Sequence, residues 1–289
     1  LTHDVSEWDA LLVATGCDKG FAATGRATTP EAVIHYLIAD QDNPSSILSC
    51  IEAARRNARA VRTALTVDMW EAVNETWRET RRALPDALAP DALPGFLDYV
   101  RARSLLFNGA YADTMLRTDS WRFVHLGTML ERADNTARLV DVKHHLFDSA
   151  GATQTQAQSP GRQTQSQGDA VDYVQWEAVL RSVSALRAYH WIYHARLQPA
   201  LVADLLILRP ELPRSILACY TLVAETLEAL AADYSQRGDC HAIAAEQVAR
   251  LRGARTDAIL AGGLHDFLTQ VIDRGIELGA AIDRFYMHG

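Results

Sequence analysis

"NPSSILSCIEAARRNARAVRTAL", residues 43–65, decides the fold. Asn43 can cap the free N–H groups of a helix, and Pro44 suits the first helical position. Behind them Ile47, Ile51, Ala54, Ala58, Val61 and Leu65 recur at helical spacing and draw one apolar stripe. Pro30 opens a helix in the same way after Thr29. Helical spacing continues through the chain, and no convincing period-2 strand interrupts it. Further helices are expected near 6–15, 68–83, 93–110, 118–147, 172–197, 199–208, 213–236, 241–252 and 263–287. The expected class is all-α.

The stretch has a counterpart. "PEAVIHYLIADQDNPSSILSC" (30–50) aligns without a gap on "PALVADLLILRPELPRSILAC" (199–219), sharing Pro30/Pro199, Val33/Val202, Ser46/Ser215, Ile47/Ile216 and Cys50/Cys219 among others. "WDALL" (8–12) aligns on "WEAVL" (176–180), and "FLDYV" (96–100) on "FLTQV" (267–271), in the same order and at nearly the same offset. This predicts a pseudo-duplicated helical bundle of two related halves. The expected organisation is a first half plus central helix over 1–147, a Gln/Ser/Thr/Gly-rich linker over 148–171, and a second half over 172–289 packed with the first as one domain. The helix of "LERADNTARLVDV" (130–142) precedes the second copy, whereas seven residues precede Trp8. The first copy of that helix is therefore expected to be missing here, leaving apolar surface near 8–15 and 47–65 uncovered.

Composition narrows the function. The chain has 289 residues, 48% hydrophobic and 22% charged, with a formal net charge of −8. That length supports a real core, and the negative balance argues against nucleic acid, whose phosphates need clustered cations. No apolar run approaches the ~20 residues of a membrane helix. The four cysteines form no C-x-x-C pair, which fits a reducing cytoplasm. His190 and His194 stand four apart in "HWIYH", but no third ligand accompanies them, so two ordinary histidines are expected and no metal.

Two constellations carry possible chemistry. In residues 130–142, Glu131, Asn135 and Arg138 share one side while Leu130, Ala133, Ala137 and Val140 fill another, and Asp134 can pair with Arg138. A structural ion-pair network is one reading. The other is a polar pocket lined by Glu131, Arg132, Asn135 and Arg138, with Glu131, Asn135 and Arg138 largely buried and facing the second constellation. That second constellation is Asn43, Ser45 and Ser46 at a helix start, where an anion is favoured, beside Arg55, Arg59 and Arg62. Its counterpart carries Leu212, Ala224, Glu228 and Ala231 instead of Asn43 and the three arginines. Against the site stands the plainer reading of a capped helix with a solvated arginine edge.

"LERADNTARLVDVKHHL" (130–146), "DNPSSILSCIEAARRNARAVR" (42–62), "MWEAVNE" (69–75), "RSLLFNGAYADTM" (103–115) and "PELPRSILAC" (210–219) together resemble the alpha-E family of bacterial helical domains, over about Trp8 to Tyr286. Members of that family look like partners of ATP-grasp ligases, fused or separate, and often share gene neighbourhoods with transglutaminase-like proteins. The resemblance implies an accessory or substrate-handling role in ATP-dependent peptide or amide ligation. ATP and Mg²⁺ are then expected on the partner ligase, with no cofactor in this chain. An enzyme would use Glu131 as general acid/base, with Arg138 and Arg132 binding a carboxylate or phosphate. A third reading is a helical scaffold that only binds protein partners.

Overall fold

The computed structural model describes the backbone of residues 7–154 and 164–288, and the side chains of 7–142 and 173–288. Among the described residues the chain is all-α, as expected, with fourteen α-helices and no strand. In chain order they are α1 (Glu7–Ala14), α2 (Asp18–Ala23), α3 (Pro30–Ile38), α4 (Ile47–Ala60), α5 (Val67–Ala87), α6 (Leu93–Thr114) and α7 (Asp119–Gln154). Then follow α8 (Thr164–Ser182), α9 (Leu186–Tyr193), α10 (Pro199–Leu208), α11 (Ile216–Tyr234), α12 (Asp239–Gly253), α13 (Thr256–Gly262) and α14 (Leu264–Tyr286).

Several of these depart from expectation. The helix expected over 172–197 is broken into α8 and α9 at Ser184, whose φ is 58°. A serine in that left-handed conformation is uncommon and carries no sequence flag, whereas Gly16, at the matching position between α1 and α2, carries one (φ 64°). The short helices α2 and α13 escaped the periodicity reading because six or seven residues are too few to show a stripe. Of the expected linker, 148–154 lie in α7 and 164–171 in α8, since Gln and Ala extend helices readily. Residues 155–163 lie outside the described residues.

The chain divides into two compact units, Leu1–Trp121 and Arg122–Gly289. In the first unit the apolar residues gather in two small clusters. Leu12, Cys17, Phe21, Val33 and Tyr36 form one, with Phe21 edge-on to Tyr36. Ile38, Ala87 and Phe96 centre the other, where α5 and α6 meet α3 and the start of α4. The second unit has one large core built from α7 to α14, including Tyr189, Leu205, Leu206, Ile216, Tyr220, Leu227 and Leu268. The apolar side of α7 (Leu126, Met129, Ala133, Ala137, Val140) belongs to this core. Helix α7 therefore packs with the second unit, although the expected division grouped it with the first.

The matched stretches adopt the same local geometry in each unit. Gly16 and Ser184 both follow a helix, their N–H groups bonding three residues back (3.0 Å each), with Cys17 and Ala185 bonding five back at 2.8 and 2.7 Å. Gly25 (φ 67°) and His194 (φ 48°) are a second left-handed pair. Pro30 and Pro199 stand at the first positions of α3 and α10. Ser46 and Ser215 cap α4 and α11 with φ, ψ of −65°, 151° and −67°, 150°, each accepting from the backbone N–H three residues on. Cys50 Sγ lies 3.7 Å from Pro44 O, and Cys219 Sγ 3.7 Å from Pro213 O.

Candidate functional site

Helix α7 puts its two polar faces to different uses. The expectation that Glu131, Asn135 and Arg138 are largely buried is overturned: Glu131 and Asn135 are exposed and bond each other, Asn135 Nδ2 donating to Glu131 Oε1 at 3.2 Å. Helical rotation explains this. At ~100° per residue, positions 131, 135 and 138 stand opposite 133, 137 and 140, and those alanines and Val140 take the core. Arg138 is committed to its own helix, Nε donating to Asp134 Oδ2 at 2.7 Å with both side chains about a quarter exposed. Of the two readings weighed for this face, the geometry is that of local i,i+4 pairs.

Arg132 points elsewhere. Half-buried between the two faces, it lies close enough to Arg214 and Cys219 for its charge to act on both. Arg214 ends the loop before α11, and its carbonyl accepts from Thr136 Oγ1 of α7 at 2.9 Å. Partial burial and then the Arg132 charge push the Arg214 pKa down. Burial pushes the Cys219 thiol up to about 11, against the pull of both arginines. The thiol is therefore protonated at neutral pH and no nucleophile. Arg132 and Arg214 thus lie beside the capped N-terminus of α11, without an ion-pair partner among the described residues. Such an arrangement attracts a carboxylate or phosphate.

The second constellation is dispersed into structural duties within the first unit. Asn43 is buried; its Nδ2 donates to Tyr36 O at 2.9 Å and its Oδ1 accepts from Ser45 N at 3.0 Å, so it ties the α3–α4 loop shut. Ser46 is the N-cap and also donates to Ser49 Oγ at 2.9 Å, while Ser45 is exposed. Arg55 donates to Asn74 Oδ1 at 2.9 Å and lies 3.9 Å from the Trp77 ring centre; Arg62 lies 4.9 Å from that of Trp70. Both guanidinium groups thus fasten α4 to α5 through cation–π contacts. Arg59 is exposed. These positions differ between the halves because α5 offers tryptophans to α4, a packing reason that a sequence comparison reads as a site.

One polar network went unread. Asp204 of α10 accepts from Tyr193 Oη, from Arg209 Nε (2.7 Å) and from Thr256 Oγ1 (2.8 Å). Burial pushes Asp204 up, but these three donors outweigh it and hold the carboxyl below the usual range. Beside it Arg187, Trp191, Ile192, Arg209 and Glu211 line an open cavity of about 500 Å³, with Trp191 81% exposed. The sequence signal was present in "HWIYH", whose aromatic residues matter more than its histidines. His194 ends α9 in the left-handed conformation, so the helical i,i+4 face needed to pair it with His190 does not continue.

No curated protein and no solved structure matches this chain. A family model does, over residues 1–287, and it describes a predicted alpha-helical domain with a conserved ER motif. The sequence contains one Glu-Arg dipeptide, Glu131-Arg132, at the point where α7 divides its charge between solvent and the start of α11. With the match covering essentially its whole length, the chain belongs to the Alpha-E family.

Proposed function

We propose that this protein is the accessory, substrate-handling component of an ATP-grasp-dependent peptide or amide ligation system, working in the cytoplasm. The observation that carries the reading is the placement of the Glu-Arg pair. Arg132, with Arg214 beside it, offers a positive site at a helix start, and a ligation substrate brings a carboxylate that must be held while it is activated. ATP and Mg²⁺ belong to the partner ligase in this reading. Glu131 stays on the outer face with Asn135, where it meets a partner or a substrate amine rather than an enclosed reaction centre. Catalysis by Glu131 as general acid/base is the less supported alternative, because neither burial nor a neighbouring base prepares it.

The test is reconstitution with an ATP-grasp ligase of the kind this reading assigns as its partner, measuring ATP-dependent product formation. Arg132→Ala is expected to lower ligation by about ten-fold or more, since a charge-assisted contact contributes on the order of 1.5–3 kcal/mol. Glu131→Gln is expected to retain most of it. Ligation unchanged in Arg132→Ala, with helix content intact, breaks the reading; loss in Glu131→Gln alone moves the chemistry into this chain.

A further inference from the structure

The cavity of about 500 Å³ beside Asp204 joins two uncommitted charges to an uncovered aromatic surface. Arg187 and Trp191, four apart in α9, share one face of that helix, and Arg209 and Glu211 enter from the loop that follows α10. Trp191 is 81% exposed, and its indole meets no other ring among the described residues. Arg187 and Glu211 are exposed too. Although opposite in charge and lining one cavity, they pair neither with each other nor with any other described residue. Arg209 is already answered: its Nε lies 2.7 Å from Asp204 Oδ2. Asp204 is held in turn by Tyr193 and Thr256, so the wall behind the cavity is fixed before any ligand arrives. We propose that this cavity binds a small zwitterion with an aromatic side chain, a free amino acid or a short peptide, its ring on Trp191, its carboxylate on Arg187 and its ammonium on Glu211. The size suits such a ligand. A free cation and a free carboxylate, as the described residues provide, complement a molecule with no net charge. A phosphate or nucleotide would be repelled by Glu211 and would find Arg209 committed to Asp204. An indole surface favours a ring, and an ammonium near its face gains further. The inference goes beyond the ligation reading, whose carboxylate sits at Arg132 and Arg214, and it needs no ligase to be tested.

Ligand-observed NMR titrations of the intact protein supply the test, with L-phenylalanine, its amide, its N-acetyl derivative and glycine as probes. L-Phenylalanine is expected to bind saturably with a Kd of about 1 mM, an ordinary efficiency for about a dozen heavy atoms. The amide lacks the carboxylate and the N-acetyl derivative the ammonium, so each should bind about three- to five-fold more weakly, the scale of an exposed ion pair. Glycine, without a ring, should bind about ten-fold more weakly or worse. Arg187→Gln should erase the preference over the amide, and Glu211→Gln the preference over the N-acetyl derivative. Trp191→Ala should weaken L-phenylalanine by about ten-fold and Trp191→Phe by much less. Circular dichroism should stay unchanged in all of these variants, because the three side chains are exposed. No saturable binding of L-phenylalanine below about 10 mM overturns the proposal, as does binding that survives Trp191→Ala intact. Equal binding of the three phenylalanine probes overturns it too, and tighter binding of the N-acetyl derivative than of L-phenylalanine would make the cavity an anion site instead.

Discussion

Ser46 and Ser215 start their helices with backbone angles two degrees apart or less, yet four residues on Cys50 is exposed and Cys219 fully buried. The α3–α4 and α10–α11 hairpins share the proline, the serine cap and the cysteine contact, and they part company in what lies against them. Helix α11 buries ten of its residues; α4 buries Leu48 and Ala58. The turn is written locally, in residues that satisfy backbone groups within four positions. Burial is written elsewhere, in whichever helix covers the face. Even the ion pairs that steady the two loops are reversed: Asp40, holding Arg26, stands where the second hairpin has Arg209, holding Asp204.

The largest expected effect breaks the comparison at one matched position. Leu230 is wholly buried in α11 and Val61, its counterpart, is 52% exposed. Leu230→Ala is expected to cost about 2–5 kcal/mol, through lost burial and the cavity left behind. Val61→Ala is expected to cost less than about 0.5 kcal/mol. Urea titrations followed by circular dichroism check both. Equal costs would mean that the α4 face is covered in solution.

The same distinction explains what could be read in the residues. Pro30, Pro199, Ser46 and Ser215 announce their helix starts because each acts on backbone groups beside it. The polar face of 130–142 was misjudged because burial of Glu131 depends on a neighbour that its own spacing cannot reveal. Asn43 and the arginines drew attention as polar residues without counterparts. Their partners, Tyr36 O, Asn74, Trp70 and Trp77, are distant enough in sequence to be invisible before folding. The Tyr193–Asp204–Arg209–Thr256 network spans α9, α10, the following loop and α13, and it was missed for the same reason.

A middle-sized effect sharpens the reversal of the ion pairs. Burial raises the pKa of Asp40, but the hydrogen bonds from Arg26 and from Asp42 N overcome it, and the carboxyl is held low like that of Asp204. A carboxyl whose folded pKa lies below its unfolded value contributes stability that is present above about pH 4 and lost as pH falls through the folded pKa. Both loops should therefore weaken in acid and not in mild base. Asp204 has three side-chain donors and Asp40 has one with a backbone N–H, so Asp204→Asn should flatten the acid limb of the urea midpoint more than Asp40→Asn does. An acid limb untouched by Asp204→Asn would remove the network from the stability of α10.

The smallest effect tests the part of the comparison where the two hairpins agree. Ser46 Oγ accepts from Ser49 N at 3.1 Å and Ser215 Oγ from Ala218 N at 3.0 Å, and both serines are completely buried. Alanine at either position leaves one helix N–H without its acceptor, a loss of about 1 kcal/mol for a typical cap. The two costs should match if the cap alone decides them. Ser46 has a second tie, its own hydroxyl donating to Ser49 Oγ, and Ser49 has solvent within reach to replace it. In α11 position 218 is an alanine buried in the second unit, so no water compensates the freed N–H there. Ser215→Ala should therefore cost somewhat more than Ser46→Ala, by a few tenths of a kcal/mol, the residue of cover that persists where the turns are otherwise the same. A larger loss for Ser46→Ala, measured by the same titrations, would show that the α4 start is the more enclosed of the two.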